Sequence, residues 1–255
     1  MMKIGCAAYS YRQYFEDGSM TYEIFLEECH RVGLDGAELT LYWIPTIEPS
    51  YLKELRRLAL SYGLPISSVG TRSNFSLPTP GERGKQAAEV GKWINVAYEL
   101  GSPCLRIFGG LVPEGCTVQQ AVDWAIEGLK LCVKDAEDKG VVLALENHGG
   151  TTGRADDTIR IVEEVNSEWL RINLDLGNYS ENLYDEIRRS IPYTVHAHAK
   201  VSTTFGGKAK LDYDKIKPLL DAEGYNGFLS IEYEEPEDPK TGVPKFARYL
   251  LELFS

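Results

Sequence analysis

An alternation of strand-like and helix-like segments constrains the fold of this chain more than any other feature. Short apolar runs typical of buried strands lie at residues 3–10, 36–40, 65–70, 103–110, 141–148, 170–178, 193–201 and 227–235. Amphipathic helical stretches lie at residues 21–33, 49–63, 81–101, 117–140, 156–166, 183–190, 212–224 and 245–254. No hairpin signal joins two strands directly, so the alternation predicts a parallel sheet with helical crossovers.

The number of units favours one parallel fold over another. Eight strand–helix units within 255 residues are typical of a closed (β/α)8 TIM barrel, whereas an open, doubly wound sheet usually has fewer. The glycine-rich phosphate fingerprint of open sheets is absent, because Gly109 and Gly110 do not complete GxGxxG. Five helical stretches end on a glycine suited to a left-handed C-cap: Gly33, Gly63, Gly101, Gly140 and Gly224. We predict an α/β protein with a single TIM barrel domain over residues 1–255.

Composition limits the partners and the compartment. The formal charge of -11 disfavours binding to the phosphate backbone of nucleic acids. No apolar run reaches the length of a membrane span, and the N-terminal segment lacks the usual form of a signal peptide. The five cysteines form no close pairs, which is typical of reduced thiols. We therefore expect a cytoplasmic protein that binds neither nucleic acid nor membranes, and a homo-oligomer remains open.

Four polar residues stand near the ends of four consecutive strand-like runs: Glu146, Asp175, His198 and Glu232. Side chains alternate along a strand, and the outer face of a barrel must be apolar to pack against helices, so all four point inward. Their late position places them at the C-terminal end of the barrel, where active sites lie. Buried carboxylates are costly without a partner, so this convergence predicts one divalent metal ion. Carboxylate-rich ligation favours Mn²⁺, with Mg²⁺, Zn²⁺ and Co²⁺ as alternatives.

Such a metal site suggests a reaction on a sugar. A divalent ion can chelate a carbonyl and its adjacent hydroxyl group and can stabilise an enediolate. A carboxylate of suitable pKa can then move the proton on and off carbon, and Glu146 and Glu232 are the candidates. Lys200 and Arg106, also inward, could hold a developing oxyanion or an acidic substrate group, or could simply pair with the acidic cluster. His196 lies one inward position deeper than His198 and is expected to form a supporting hydrogen bond.

Two further strand positions and one loop complete the expected site. By the same alternation, Glu38 and His148 point into the barrel and are candidates for substrate binding. The loop after the third strand contains Arg72, Asn74 and Phe75, which could line or cover a pocket at the barrel mouth. The alternative is an ordered surface loop without a functional role.

At this point six motifs resemble a known family: GLDGAELT, LRIFGG, LALENHGG, NLDLGNYSEN, VHAHAKVS and GFLSIEYEEPED. Together they are similar to the xylose-isomerase-like barrel superfamily, also called the sugar phosphate isomerase/epimerase or AP endonuclease family 2 group, over essentially the whole chain. The resemblance implies a metal bound by the same four residues named above. In the ketose 3-epimerases of this group the two metal-binding glutamates also exchange the substrate proton, which implies that role for Glu146 and Glu232.

Three positions depart from the epimerase pattern. The epimerases carry a glutamate six residues after the first metal ligand, a histidine three after the aspartate and an arginine six after the metal histidine. Here those positions hold Thr152, Asn178 and Thr204. In the epimerases, the glutamate, histidine and arginine at these positions grip the ketose. The resemblance therefore implies that this chain holds its substrate differently. Asn178 is retained as a candidate substrate contact, and His148 and Lys200 are candidates for the altered chemistry.

We therefore predict a metal-dependent isomerase or epimerase of a sugar, keto-sugar or sugar phosphate, acting on a small-molecule carbohydrate through an enediolate. A lyase or dehydratase acting on a keto-cyclitol or 3-keto-glycoside is the main alternative. A metal-binding protein without catalysis is a third reading. A DNA-repair nuclease is disfavoured, because its multi-zinc cluster needs many histidines and this acidic chain has four.

Overall fold

Eight parallel strands close into a barrel in the computed structural model, which describes residues 2–254. The strands are β1 (Lys3–Ala7), β2 (Gly36–Thr40), β3 (Ile66–Gly70), β4 (Cys104–Phe108), β5 (Val142–Glu146), β6 (Leu170–Asp175), β7 (Thr194–Ala199) and β8 (Phe228–Ile231). Each strand pairs with its neighbour in sequence, and β8 pairs with β1. The predicted (β/α)8 TIM barrel is confirmed.

Helices surround the barrel. They are α1 (Arg12–Glu16), α2 (Tyr22–Val32), α3 (Pro49–Ser61), α4 (Pro80–Leu100), α5 (Val118–Lys130), α6 (Val133–Lys139), α7 (Ala155–Val165), α8 (Leu183–Ser190), α9 (Tyr213–Ala222) and α10 (Pro239–Phe254). Short 3₁₀ segments occupy Ala8–Tyr11, Leu41–Trp43 and Ile191–Tyr193. No helix among the described residues is long and apolar enough to cross a membrane.

Two helical predictions need correction. The stretch 117–140 is not one helix, because the amides of Leu131 and Cys132 bond to carbonyls three residues back and the tighter turn ends α5. The last helix begins at Pro239 and not at residue 245, because proline suits the first helical turn and the Asp238 carboxylate accepts the amide N–H of Lys240.

The alternation of side chains separates the two sides of the barrel wall. Outward residues such as Leu143, Leu145 and Ile172 are fully buried against the helices. Glu146 and Asp175 are the last residues of β5 and β6, and Glu232 directly follows β8. Charge is therefore concentrated at the C-terminal end of the barrel, as the strand patterns predict.

Candidate active site

A cavity of about 450 Å³ opens at the C-terminal end of the barrel. Its walls are formed by Tyr9, Tyr42, Arg72, Ser73, Asn74, Arg106, Phe108, Gly110, Leu111, Glu146, His148, Gly149, Thr152, Lys200, Thr204, Glu232 and Glu234. Five predicted site residues thus line it: Arg106, Glu146, His148, Lys200 and Glu232. The other four, Glu38, Asp175, Asn178 and His198, are buried and do not belong to the lining.

His198 is the centre of the predicted metal site. Its Nδ1 atom lies 3.7 Å from Asp175 Oδ2, 3.7 Å from Glu232 Oε2 and 3.8 Å from Glu146 Oε2. Donor atoms that share one cation at about 2.0–2.2 Å are separated by about 3–4 Å. Glu146, Asp175 and His198 offer donor atoms that all lie within 4.8 Å of one another. The structure therefore brings three of the four predicted ligands together, and Glu232 approaches the same nitrogen of His198 without joining this mutually close group.

Two carboxylate oxygens in this cluster have no hydrogen bond among the described residues. They are Glu146 Oε2 and Asp175 Oδ2, and both are buried. Besides His198, Glu146 Oε2 faces Arg106 Nε at 3.1 Å, and Asp175 Oδ2 faces Lys200 Nζ at 3.2 Å. Buried oxygens are normally hydrogen-bonded, and a bound cation accounts for lone pairs left free. The donor set of three carboxylates and one imidazole fits a divalent metal ion.

Glu38 contacts the far side of the His198 ring. Its two carboxylate oxygens lie 3.0 and 3.1 Å from His198 Nε2, which therefore donates its hydrogen to Glu38. Burial would raise the pKa of Glu38, but the charge and hydrogen bond of His198 hold it well below its usual range. Nδ1, on the other edge of the ring, faces the other carboxylates. Burial would lower the pKa of His198, but the charges of Glu38 and Glu232 raise it well above its usual range, so a cation bound here would replace the Nδ1 proton. A carboxylate behind the other ring nitrogen is common at metal-binding histidines.

His196 has the supporting role that its depth suggests. Its Nδ1 donates to Asn173 Oδ1 at 2.8 Å, and its Nε2 lies 3.3 Å from the Ser67 hydroxyl group. Burial lowers the pKa of His196 to about 4, so the ring is neutral at pH 7.

Lys200 is held among three carboxylates. Its Nζ lies 2.7 Å from Glu234, 3.1 Å from Glu232 and 3.2 Å from Asp175. Burial would lower the pKa of Lys200, but these charges raise it well above its usual range. The side chain therefore stays cationic at the edge of the cavity.

The three positions that depart from the epimerase pattern surround this lysine and the Glu146 strand end. Lys200 Nζ donates to Thr204 Oγ1 at 2.8 Å and to Asn178 Oδ1 at 3.3 Å. Asn178 Nδ2 also donates to Glu146 Oε1 at 3.4 Å, and Thr152 Oγ1 donates to the Glu146 carbonyl oxygen at 2.9 Å. The small side chains at these positions orient Lys200 and Glu146.

Arg106 supports Glu146 from the neighbouring strand, β4. Its guanidinium group donates to the Tyr42 hydroxyl group and to the Thr71 carbonyl oxygen, and it lies 4.2 Å from the centre of the Phe108 ring. Burial raises the pKa of Glu146, and Arg106 lowers it only in part. A carboxyl group with a raised pKa is suited to proton exchange.

His148 lies past the end of β5 and is exposed at the cavity rim, where its ring is 4.6 Å from that of Phe108.

Sequence reasoning missed two other contributors. Tyr42 stands two residues after Thr40 and four after Glu38, which are both inward positions. This two-residue spacing could have identified it. Asn147 bonds to the backbone N–H and carbonyl of Asp175, and no local signal marks this contact.

Comparison with known proteins agrees with this architecture. Residues 26–253 match the family model described as "Xylose isomerase-like TIM barrel". A putative hydroxypyruvate isomerase of Mus musculus is 27% identical over 248 residues, which cover 88% of each chain.

Two solved structures share the fold. A D-psicose 3-epimerase from Clostridium cellulolyticum H10 has a TM-score of 0.81 at 20% identity, covering 98% of this chain and 99% of that one. A probable 3-DHS dehydratase from Bacillus anthracis has a TM-score of 0.78 at 17% identity, covering 98% and 99%. The isomerase and epimerase names agree with the predicted enzyme class.

Proposed function

This chain belongs to the xylose isomerase-like TIM barrel family, and from that premise we propose that it is a metal-dependent isomerase or epimerase of a small hydroxy-ketone or hydroxy-aldehyde sugar. The observation that carries the proposal is the position of His198 Nδ1, which faces three carboxylate oxygens. Two of these oxygens lack a hydrogen bond, and two of the carboxylates, those of Glu146 and Glu232, line the cavity.

The quartet Glu146, Asp175, His198 and Glu232 would hold the divalent ion, with Mn²⁺ favoured by the carboxylate-rich donor set. The bound ion would polarise the substrate carbonyl and stabilise the enediolate that forms when the adjacent carbon loses its proton. Glu38 keeps His198 oriented for this role and does so without lining the cavity.

Glu146 and Glu232 exchange the proton in this proposal. Both carboxylates line the cavity, so one removes the proton from the carbon beside the carbonyl group and the other returns it. Arg106 and Lys200 stay cationic at the wall and donate to oxygens that gain negative charge. Asn178 acts through Lys200 and Glu146, with which it forms hydrogen bonds. A cytoplasmic location and a carbohydrate substrate complete the proposal.

Deuterium exchange tests this function. The chain loaded with Mn²⁺ is incubated in D₂O with ketoses of three to six carbons, and the recovered sugars are analysed by NMR. Deuterium at the carbon beside the carbonyl group is expected, and Glu146→Gln should abolish it. An absence of exchange with every sugar, together with no retention of Mn²⁺, would overturn the proposal.

An elimination reaction is the second candidate. His148 is a further acid–base group on the cavity wall. At two of the positions that grip the ketose in the epimerases, this chain has Asn178 and Thr204, which instead form hydrogen bonds with Glu146 and Lys200. The same incubation separates the two reactions, because elimination would release water or an aglycone from the substrate.

A further inference from the structure

Arg72 is a cation of the cavity wall that has no anionic partner among residues 2–254. It lies just past the end of β3 in an exposed position, and its guanidinium group is 4.4 Å from the centre of the Tyr42 ring. In the part of the chain that the structure describes, Arg72 forms neither a hydrogen bond nor an ion pair. A guanidinium group stacked on a ring keeps its N–H edge free for other partners.

The other lysine and arginine side chains of the cavity are already paired. Arg106 lies 3.1 Å from Glu146, and Lys200 lies 2.7 Å from Glu234 and 3.1 Å from Glu232. Arg72 is therefore the cavity cation whose charge remains to be balanced by a ligand.

Tyr42 also contacts a second guanidinium group, that of Arg106. Arg106 donates to the Tyr42 hydroxyl group from both terminal nitrogens, at 3.2 Å each, and its own centre lies 5.9 Å from the same ring. Of the two guanidinium groups that contact this ring, only that of Arg106 has a carboxylate beside it among the described residues, Glu146 at 3.1 Å. An anion beside Arg72 would give the second guanidinium group a charged partner as well.

The wall that carries Arg72 is anchored to its neighbour. The Ser73 hydroxyl group bonds to the backbone of Phe108, and the Phe75 amide donates to the Gly109 carbonyl oxygen at 2.9 Å. Asn74, also on the cavity wall, uses its Oδ1 to accept the hydroxyl group and amide N–H of Ser76. The group that Asn74 has left for a ligand is therefore its Nδ2 donor. An anchored wall with free donors is a preorganised binding surface.

We infer that Arg72 binds a terminal oxyanion of the substrate, so that the substrate class is a short hydroxy-ketone with an acidic end group. The inference rests on the proposed isomerase function, in which the carbonyl end of the substrate lies over Glu146 and Glu232. A carboxylate and a phosphate share the required chemistry, since both accept two N–H groups of a guanidinium fork. Asn74 contributes one further N–H donor to the same group.

Three ligands with the same hydroxymethyl-ketone head test the inference. Dihydroxyacetone is neutral, hydroxypyruvate carries a carboxylate, and dihydroxyacetone phosphate carries a phosphate. Each is titrated calorimetrically into the full chain loaded with Mn²⁺, as wild type, Arg72→Gln, Arg72→Lys and Lys139→Gln. Lys139 is the matched control, because it is an exposed cation 5.0 Å from a tyrosine ring and lies outside the cavity.

At least one anionic ligand should bind wild type more tightly than dihydroxyacetone does, and the tighter of the two anions identifies the end group. Arg72→Gln should weaken that anion about 10- to 100-fold, which is the range of a charge-assisted hydrogen bond. Arg72→Lys should be intermediate, and Lys139→Gln should match wild type. Binding of dihydroxyacetone should be unchanged in all variants.

Three results would overturn the inference: equal affinity of wild type for all three ligands, an unchanged anion preference in Arg72→Gln, or no binding of either anion. Deuterium exchange on the same ligands reports on the proposed function separately. Exchange on neutral sugars alone would leave the isomerase standing and remove the anion subsite. Tight, Arg72-dependent anion binding without any exchange would support the anion subsite and contradict the isomerase function.

Discussion

Glu38 and His198 form a buried pair across the barrel interior, with His198 Nε2 lying 3.0 Å from Glu38 Oε1 although 160 residues separate them in sequence. Glu38 accepts the Nε2 hydrogen of His198, and Nδ1, on the other edge of the ring, faces Glu146, Asp175 and Glu232. The proposed metal site is thus supported by a residue that neither lines the cavity nor belongs to the predicted ligands.

Replacement of Glu38 tests this support. In Glu38→Gln the amide can no longer balance the charge on the ring or favour one tautomer, so Mn²⁺ affinity should fall about 10- to 100-fold. Competition with a chelator measures the affinity directly. Glu54→Gln, exposed on α3, should leave it unchanged. An unaltered affinity in Glu38→Gln would refute the supporting role.

Replacement of either cavity glutamate should remove activity and leave the fold intact. With saturating Mn²⁺, Glu146→Gln and Glu232→Gln should each lower the rate of deuterium exchange by about 10²- to 10⁴-fold, because an amide cannot exchange the substrate proton. Circular dichroism should show the wild-type spectrum. Glu235→Gln, whose carboxylate pairs with Lys208 outside the cavity, is the control and should keep full activity. Normal exchange in either cavity variant would contradict the assignment.

Metal binding should stabilise the folded chain. Mn²⁺ at 100 times its dissociation constant should raise the free energy of unfolding by about 2.7 kcal/mol, since the cation binds only the folded state. Asp175→Asn should abolish most of this gain, because Asp175 Oδ2 is one of the oxygens with no hydrogen bond in the described structure. Thermal unfolding at a series of Mn²⁺ concentrations measures the effect. An equal gain in both proteins would place the metal elsewhere.

His196 should make stability depend on pH. Burial lowers its folded-state pKa to about 4, whereas the unfolded value is about 6.5. Between these values the unfolded chain binds the extra proton, so stability should fall as pH drops from about 6.5 to 4, by up to about 3 kcal/mol from this residue. Urea unfolding of the metal-free chain across this range measures the slope. His196→Asn should flatten it, and an identical slope in both proteins would exclude this cause.

Much of the fold was predictable because its signals are local. The period of apolar residues distinguished strands from helices, and the number of units indicated a closed barrel. Helix ends were less predictable. The break at Leu131 and the early start at Pro239 depend on single turns, and the periodicity of the sequence does not report them.

The sequence by itself determined which residues face the interior, because side-chain alternation is a property of the strand. It therefore selected Glu146, Asp175, His198 and Glu232 without knowledge of their distances. Only the tertiary structure decided the partners: Glu38 lies behind His198, Lys200 lies among three carboxylates, and Arg72 has no carboxylate partner in the described part of the chain. These contacts join strands and loops that are distant in sequence. The strand pairing also shifts register beside Glu38 and Asn173, and such irregularities change the direction of side chains. Strand tilt, register and rotamers set such distances together, and no local pattern encodes them.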